Sequence, residues 1–449
     1  MSIVAAAALG ASACIGSLCQ PGALHPYFDK LARLQAGTGR PVHILQVGDS
    51  HSAGDAITGA WREMLQGRYG GGGRGVLPPG RPYDGYITRG VQVAMSPGWR
   101  IASDFGANWS TGNPPLGLSA FSLTSQQDGA TMSVQADPYQ AFDRFTVCAI
   151  ARPGSGNLLL RAATASITFD LSSVTIRPEC RTVSLDAPTT GADLTVQGGP
   201  VTITSWGTFR SDKGVTVSNL GVVGSQLVHF ARTDDAVITE ELRAYRPDLI
   251  VVAFGTNEGF APRFNTFEYE VTLRTQIGRL RRIAGNVPIL LLGAPDALSR
   301  RDAVRGNMAG QPAAYCGTVS APVSAPQPSV IGSIMDRLRN SVGAGDAPAE
   351  AAPAAPRPPA STGESGASRG PLFPPAALQG VRDVQRRVAA QLNVGYWDWE
   401  RAMGGRCSAD QWVHASPALM RGDYVHYTSA GGHELAKRLQ GDLDAAARR

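Results

Sequence analysis

The sequence predicts an α/β fold interrupted by an all-β segment. Three observations carry this. The short apolar run Val42-His43-Ile44-Leu45-Gln46-Val47 reads as a buried strand, and the continuous apolar run Leu249 to Phe254 as a parallel strand buried on both faces. Stretches with helical apolar spacing follow them, as in an alternating strand–helix chain. From about Asp84 to Asp212 the texture changes to short runs of alternating polar and apolar residues, separated by Ser-, Gly-, Asn- and Pro-rich turns.

The elements follow in order. The Val42 run ends in the turn Gly48-Asp49-Ser50, and Asp55 to Leu65 has helical spacing. Within the alternating region, Ala130 to Val134, Ala165 to Phe169 and Thr195-Val196 read as strands of an all-β sandwich. Val215 to Leu220 is a candidate strand, and Ala236 to Tyr245 a helix closed off by Pro247. Leu249 to Phe254 and Val287 to Leu292 are buried strands, with a helix over Tyr269 to Ala284 between them. Ala344 to Pro375 is rich in Ala, Pro, Gly and Ser; it buries little surface and is expected to be a disordered insertion. Val381 to Leu392 resumes as a helix, Val394 to Trp399 is a last strand, and Ser429 to Ala445 a closing helix.

This divides the chain into an expected signal or disordered N-terminus over 1–23, a first α/β part over 24–83, a β-sandwich insert over 84–212, and a second α/β part over 213–449. Ile3 to Gly16 is small and apolar, and Ala11-Ser12-Ala13 fits a secretory cleavage site, so export to the periplasm or beyond is expected. Cys14 directly after that site admits a lipid anchor, but the block lacks the leucine-like residue such anchors prefer. No run is long and apolar enough to predict a bilayer span.

Composition narrows the function. The 53 glycines and 31 prolines in 449 residues favour turns and short strands over a coiled coil. The net charge is +5, yet the arginines are scattered and lysines occur only at 30, 213 and 437, so no nucleic-acid-binding tail is present. The cysteines at 14, 19, 148, 180, 316 and 407 form no CxxC pair, which argues against a structural zinc site. In an exported chain they pair, with Cys148–Cys180 and Cys316–Cys407 the expected bridges. No metal or cofactor is predicted.

Four short blocks carry candidate chemistry, each with a plain structural alternative. In Gly48-Asp49-Ser50-His51-Ser52, a serine between a strand and a helix presents its hydroxyl at the sheet edge and its amide at a helix start; Asp49 and Ser50 are equally ordinary helix caps. In Asp423-Tyr424-Val425-His426, the spacing sets a carboxylate beside an imidazole on one turn, which would supply the base a serine nucleophile needs; a surface ion pair is the alternative. Asn257, in Gly255-Thr256-Asn257-Glu258 after a strand, offers a side-chain N–H to an oxyanion, or simply makes a turn. Gly224, in Gly221-Val222-Val223-Gly224, lets its own N–H approach a ligand closely, or is a packing glycine. His51 is a possible second base but reads better as a packed or hydrogen-bonded neighbour. His433 reads as a surface residue, Trp61 as core, Asp55 as a cap or loop anchor, and Asp296 as a minor candidate for lining a cleft.

Taken together, the order Ser, Gly, Asn, Asp-x-x-His resembles the SGNH (GDSL-type) hydrolase superfamily. Gln46 to Asp55, Gly70-Gly71-Gly72-Gly73, Trp397-Asp398-Trp399 to Gly405, Gln411-Trp412 and Asp423 to Thr428 are similar to blocks of bacterial O-acetylpeptidoglycan esterases. The resemblance implies a three-layer, flavodoxin-like parallel sheet with an inserted jelly-roll-like module similar to a carbohydrate-binding one. It implies Ser50 as nucleophile, His426 as base, Asp423 as its orienting carboxylate, and Ser50 N–H, Gly224 N–H and Asn257 as oxyanion hole. The implied substrate is an O-acetylated glycan, foremost the 6-O-acetyl group of N-acetylmuramic acid in peptidoglycan. A glycan O-acetyltransferase using the same acyl-serine, and a non-catalytic glycan-binding protein, are the alternatives.

Overall fold

The apolar runs assemble into one six-stranded sheet in the order Leu18–Cys19, Gly395–Trp397, Ile289–Leu292, Leu249–Ala253, Val42–Gly48, Val215–Gly221. These positions come from a computed structural model that describes residues 14–86, 88–299, 316–318 and 371–449. The last five strands in that order pair in parallel, and Leu18–Cys19 closes the edge antiparallel to Gly395–Trp397. Side chains alternate across each strand, so Ile44, Val217, Val251 and Leu290 face one layer of helices, and Leu45, Val47, Ile250 and Leu291 the other. The first layer buries Tyr27, Trp61, Leu65, Leu435 and Leu439 from the helices His25–Gln35, Ala56–Tyr69 and Ser429–Ala447. The second buries Ile238, Leu242, Ile277 and Val384 from Asp235–Tyr245, Thr266–Ala284 and Leu378–Leu392. Both faces are covered, which is why the central strands Leu249–Ala253 and Ile289–Leu292 read as unbroken apolar runs rather than as alternation.

Between the Val42–Gly48 and Val215–Gly221 strands the chain makes two antiparallel sheets. One runs Ala165–Asp170, Asn157–Ala162, Gly191–Gln197, Thr131–Ala136, Val91–Met95. The other runs Arg177–Thr189, Phe142–Ala151, Val201–Phe209, Phe121–Ser125, Trp99–Ser103, with Gly75–Leu77 also paired to Val201–Phe209. Leu123, Phe145, Val147, Leu160, Leu194 and Trp206 from the two sheets share one apolar cluster. A buried carboxylate fastens this insert to the main body: Glu241, on the Asp235–Tyr245 helix, accepts from Leu118 N (2.6 Å), Thr204 Oγ1 (2.7 Å) and Ser205 Oγ (2.6 Å). Burial pushes its pKa up, and the three donors oppose that.

Two expectations need correction. Residues 14–23 do not lie in a disordered leader: Leu18 is fully buried and Leu18–Cys19 is a strand of the main sheet. The small apolar residues that look like a signal also suit an edge strand, and composition alone does not separate the two. Residues 1–13 lie outside the described residues. The expected disordered stretch over 344–375 lies outside them up to residue 370, but at its end Pro371–Leu372 pairs with Gly317–Thr318 and Phe373 bridges to Ser299. Both expected disulfides are present, and Cys14 pairs with Cys19, so that sulfur does not carry a lipid.

Candidate active site

The candidate residues meet at the carboxyl ends of the parallel strands, where open α/β sheets place their sites. Ser50 follows the Val42–Gly48 strand and opens the short helix Ser50–Ala53. Gly48 has to be glycine: a Cβ there would come within 2.3 Å of Ser52 Oγ and 2.5 Å of the Ala253 carbonyl. Asp49 N donates to that same carbonyl (3.3 Å), and Asp49 Oδ1 caps the helix by accepting from His51 N (2.9 Å). Gln46 Nε2 holds Ser52 Oγ (2.7 Å), and Asn219 Nδ2 holds the Ser52 carbonyl (2.8 Å). The serine is therefore set on a rigid turn braced from both neighbouring strands.

Asp423 and His426 come from the loop before the last helix. Tyr424 adopts φ +59°, and this folds the chain so that Asp423 Oδ1 accepts from both Val425 N (3.0 Å) and His426 N (2.9 Å). Asp423 Oδ2 lies 2.9 Å from His426 Nδ1, and His426 Nε2 lies 3.0 Å from Ser50 Oγ. With Nδ1–H donating to the carboxylate, Nε2 is left to accept the serine proton. Burial alone would raise the Asp423 carboxyl; its hydrogen bonds to His426, the charge of that imidazole and the two amides outweigh burial and bring it to about 2.

Gly224 and Asn257 complete the cluster as one tied unit. Val222 N donates to the Gly48 carbonyl (3.1 Å), which fixes the glycine block beside the serine turn. Asn257 Nδ2 donates to Ser225 O (2.9 Å), and Gln226 Nε2 donates to Asn257 O (3.2 Å). An amide has two N–H bonds, so Asn257 keeps one for a ligand. Among the described residues, no protein acceptor takes the N–H of Ser50 or of Gly224. Gly224 sits at φ +82°, and a Cβ there would meet Phe105 at 2.9 Å. Phe105 comes from the insert and stacks on His229 at 4.4 Å between centroids, so the insert forms a wall of this site.

The arrangement contains what acyl transfer through serine requires: a hydroxyl on an oriented imidazole, and N–H donors that no protein acceptor takes. We expect Asn257→Ala to lower kcat on a small aryl acetate by roughly 10²–10³-fold with little change in KM, the loss typical of one oxyanion donor. Steady-state kinetics with wild type as control checks this; an unchanged kcat would show that Asn257 does not act as an oxyanion donor.

One solved structure, titled "Peptidoglycan O-acetylesterase in action, 5 min", superposes with a TM-score of 0.68 over 96% of this chain and 99% of that one, at 22% identity. The chain has the fold of that structure. A family two carbohydrate esterase from Cellvibrio japonicus also matches (12% identity, 57% of this chain and 86% of that one, TM-score 0.18). So does a salicylyl-acyltransferase from a tetracycline biosynthetic pathway (11% identity, 80% and 98%, TM-score 0.28). No protein-family model and no curated protein matches the chain.

The residues weighed outside this set have structural places. Asp55 makes no cap; it is fully buried and accepts from Arg62 Nη2 (2.9 Å), Arg74 Nη2 (3.2 Å) and Thr58 Oγ1 (2.6 Å). Burial works against its charge, but the two guanidiniums win and hold it at about 2. Asp296 does not line a cleft; it is buried and accepts from Ala409 N (3.0 Å). His433 is exposed beside Glu63, and Trp61 is core. Sequence reasoning missed Phe105, which no motif marks, and Glu258, whose Oε1 accepts from Leu227 N (2.8 Å) and whose carboxyl is raised to about 7 by burial. Among the described residues no cluster of His, Cys, Asp and Glu would hold a metal, and no helix is long and apolar enough to cross a membrane.

Proposed function

We propose that the protein is a serine esterase that removes O-acetyl groups from a cell-wall glycan, with 6-O-acetyl-N-acetylmuramic acid of peptidoglycan as the foremost substrate. The observation that carries this is the unbroken chain from Ser50 Oγ through His426 to Asp423, beside the unused N–H groups of Ser50 and Gly224. The likeness in fold to a peptidoglycan O-acetylesterase supports the substrate class.

In this reading the Ser50 hydroxyl gives its proton to His426 Nε2 as Oγ attacks the acetyl carbonyl. The negative charge on the carbonyl oxygen is met by Ser50 N–H, Gly224 N–H and the remaining Asn257 N–H. Collapse breaks the ester C–O bond, and His426 returns its proton to the departing sugar oxygen. Water then gives a proton to His426 and attacks acetyl-Ser50, releasing acetate and restoring the hydroxyl. No step requires a cofactor. The insert, with Phe105 against Gly224, would form part of the surface that receives the glycan. Three disulfides suit an oxidising, exported location.

The test is acetate release from O-acetylated peptidoglycan and from acetylated xylan, by wild type and Ser50→Ala. Serine-dependent release favouring peptidoglycan is expected. Release from xylan alone would move the substrate. Acetyl transfer to chito-oligosaccharides outpacing hydrolysis would make the enzyme a transferase.

A further inference from the structure

The residue after the nucleophile reaches across to the turn that carries the base. His51 Nε2 lies 3.0 Å from the carbonyl oxygen of Val425, the residue directly before His426. A carbonyl only accepts, so Nε2 carries a hydrogen and donates it. The other ring nitrogen, Nδ1, lies 3.3 Å from both Asp49 Oδ1 and Thr256 Oγ1. The ring is buried, with centroids 5.3 Å from Trp399, 5.4 Å from Tyr427 and 5.5 Å from His426. Its orientation is thus set by aromatic packing, and its two nitrogens bind different segments.

The turn needs such a tie. Ser50 and His426 are 376 positions apart in the chain. The turn's backbone bonds are largely local, as with Tyr424 N to Arg421 O (3.0 Å) and Arg421 N to His426 O (2.8 Å). Asp423 itself is 44% exposed. One distant backbone bond, Leu298 N to the Tyr424 carbonyl (3.1 Å), ties the turn to the segment after the Ile289–Leu292 strand, but not to the block that carries the serine.

We propose that His51 is a positioning residue: by donating from Nε2 to the Val425 carbonyl, it holds the Asp423-to-His426 turn at the nucleophile block. The proposal rests on the reading of Ser50 and His426 as a catalytic pair. His51 contacts neither the substrate carbonyl nor the serine hydroxyl in this role; it acts through the backbone of the base. Burial disfavours a charged His51, but Asp49 and the Val425 carbonyl outweigh it and the imidazole is shifted upward, which favours the donating form. Displacements of about 1 Å in a catalytic group cost on the order of 10²-fold in rate.

The experiment compares wild type, His51→Phe, His51→Gln and Ser50→Ala on a small aryl acetate, with thermal melting and proton NMR of the low-field His426 Nδ1–H shared with Asp423. His51→Phe keeps a ring in the aromatic pocket but loses the donor. Its kcat is expected to fall roughly 10- to 100-fold at near-constant KM, with the low-field resonance shifted or broadened. His51→Gln, whose amide N–H points along the same path, is expected to recover most of the rate and the resonance. If His51→Phe does not fold, His51→Asn, too short to reach Val425, replaces it. A wild-type kcat in the donor-less variant, with Ser50→Ala inactive, overturns the positioning role and leaves the catalytic pair standing. Equal losses of melting temperature and kcat in the Phe and Gln variants, with the resonance unmoved, also overturn it. Full turnover by Ser50→Ala brings down the catalytic pair and this inference with it.

Discussion

Ser50→Ala is expected to lower kcat by up to about 10⁶-fold, the scale of loss when a serine–histidine unit is deprived of its nucleophile. The structure explains why so small a change should be so selective. Ser50 Oγ makes its hydrogen bond to His426 Nε2, while the turn around it is held by Asp49, Gln46 and Asn219. Alanine removes the hydroxyl and leaves those braces, so the melting temperature should stay at the wild-type value. His426→Ala should cost about as much, because an imidazole without a nucleophile and a nucleophile without its base are equally inert. The double variant is then expected to be no slower than either single one. Losses that multiply in the double variant would mean that the two residues act independently. The measurement is single-turnover release of acetate at enzyme excess, which resolves very slow variants.

Asp423→Asn is expected to cost on the order of 10⁴-fold in kcat through the tautomer of His426. The asparagine oxygen can still accept from Val425 N and His426 N, as Asp423 Oδ1 does now, so the turn should keep its shape. Its NH₂ then replaces Oδ2, and it is a donor where Nδ1–H now finds an acceptor 2.9 Å away. The imidazole answers by moving its hydrogen to Nε2, which can no longer take the proton of Ser50. The pH dependence follows with a definite sign. The Asp423 carboxyl is held at about 2, below its ordinary value of 3.8. Its contribution to stability is therefore full above the ordinary value and is lost as pH falls toward about 2. In Asp423→Asn the NMR signal of the shared Nδ1 proton should vanish while the fold persists. Its survival, or a kcat near wild type, would contradict the orienting role.

Much of the main sheet is legible because both of its faces are covered. Leu249–Ala253 is apolar throughout, and Val42–Gly48 is interrupted only by His43 and Gln46 before its closing glycine, a pattern with few other readings. The helices Asp235–Tyr245 and Ser429–Ala447 show themselves by spacing. The edge strand Leu18–Cys19 does not: two residues have no period, and their apolar surroundings match those of a leader peptide. The last strand is shorter than expected, Gly395–Trp397, because Asp398 turns the chain by capping the helix Trp399–Met403.

By itself, the sequence determined which residue types stand at the ends of buried strands: a serine after one, an asparagine after another, an aspartate three positions before a histidine in a late loop. Those are local patterns, and local chemistry fixes what each can do. Only the tertiary structure decided that Ser50 and His426 lie 3.0 Å apart, that Phe105 of the insert presses on Gly224, and that His51 holds the Val425 carbonyl. Each of these joins segments far apart in the chain. Their distances depend on how sheet, helices and insert pack as a whole, and no residue pattern along the chain records that packing.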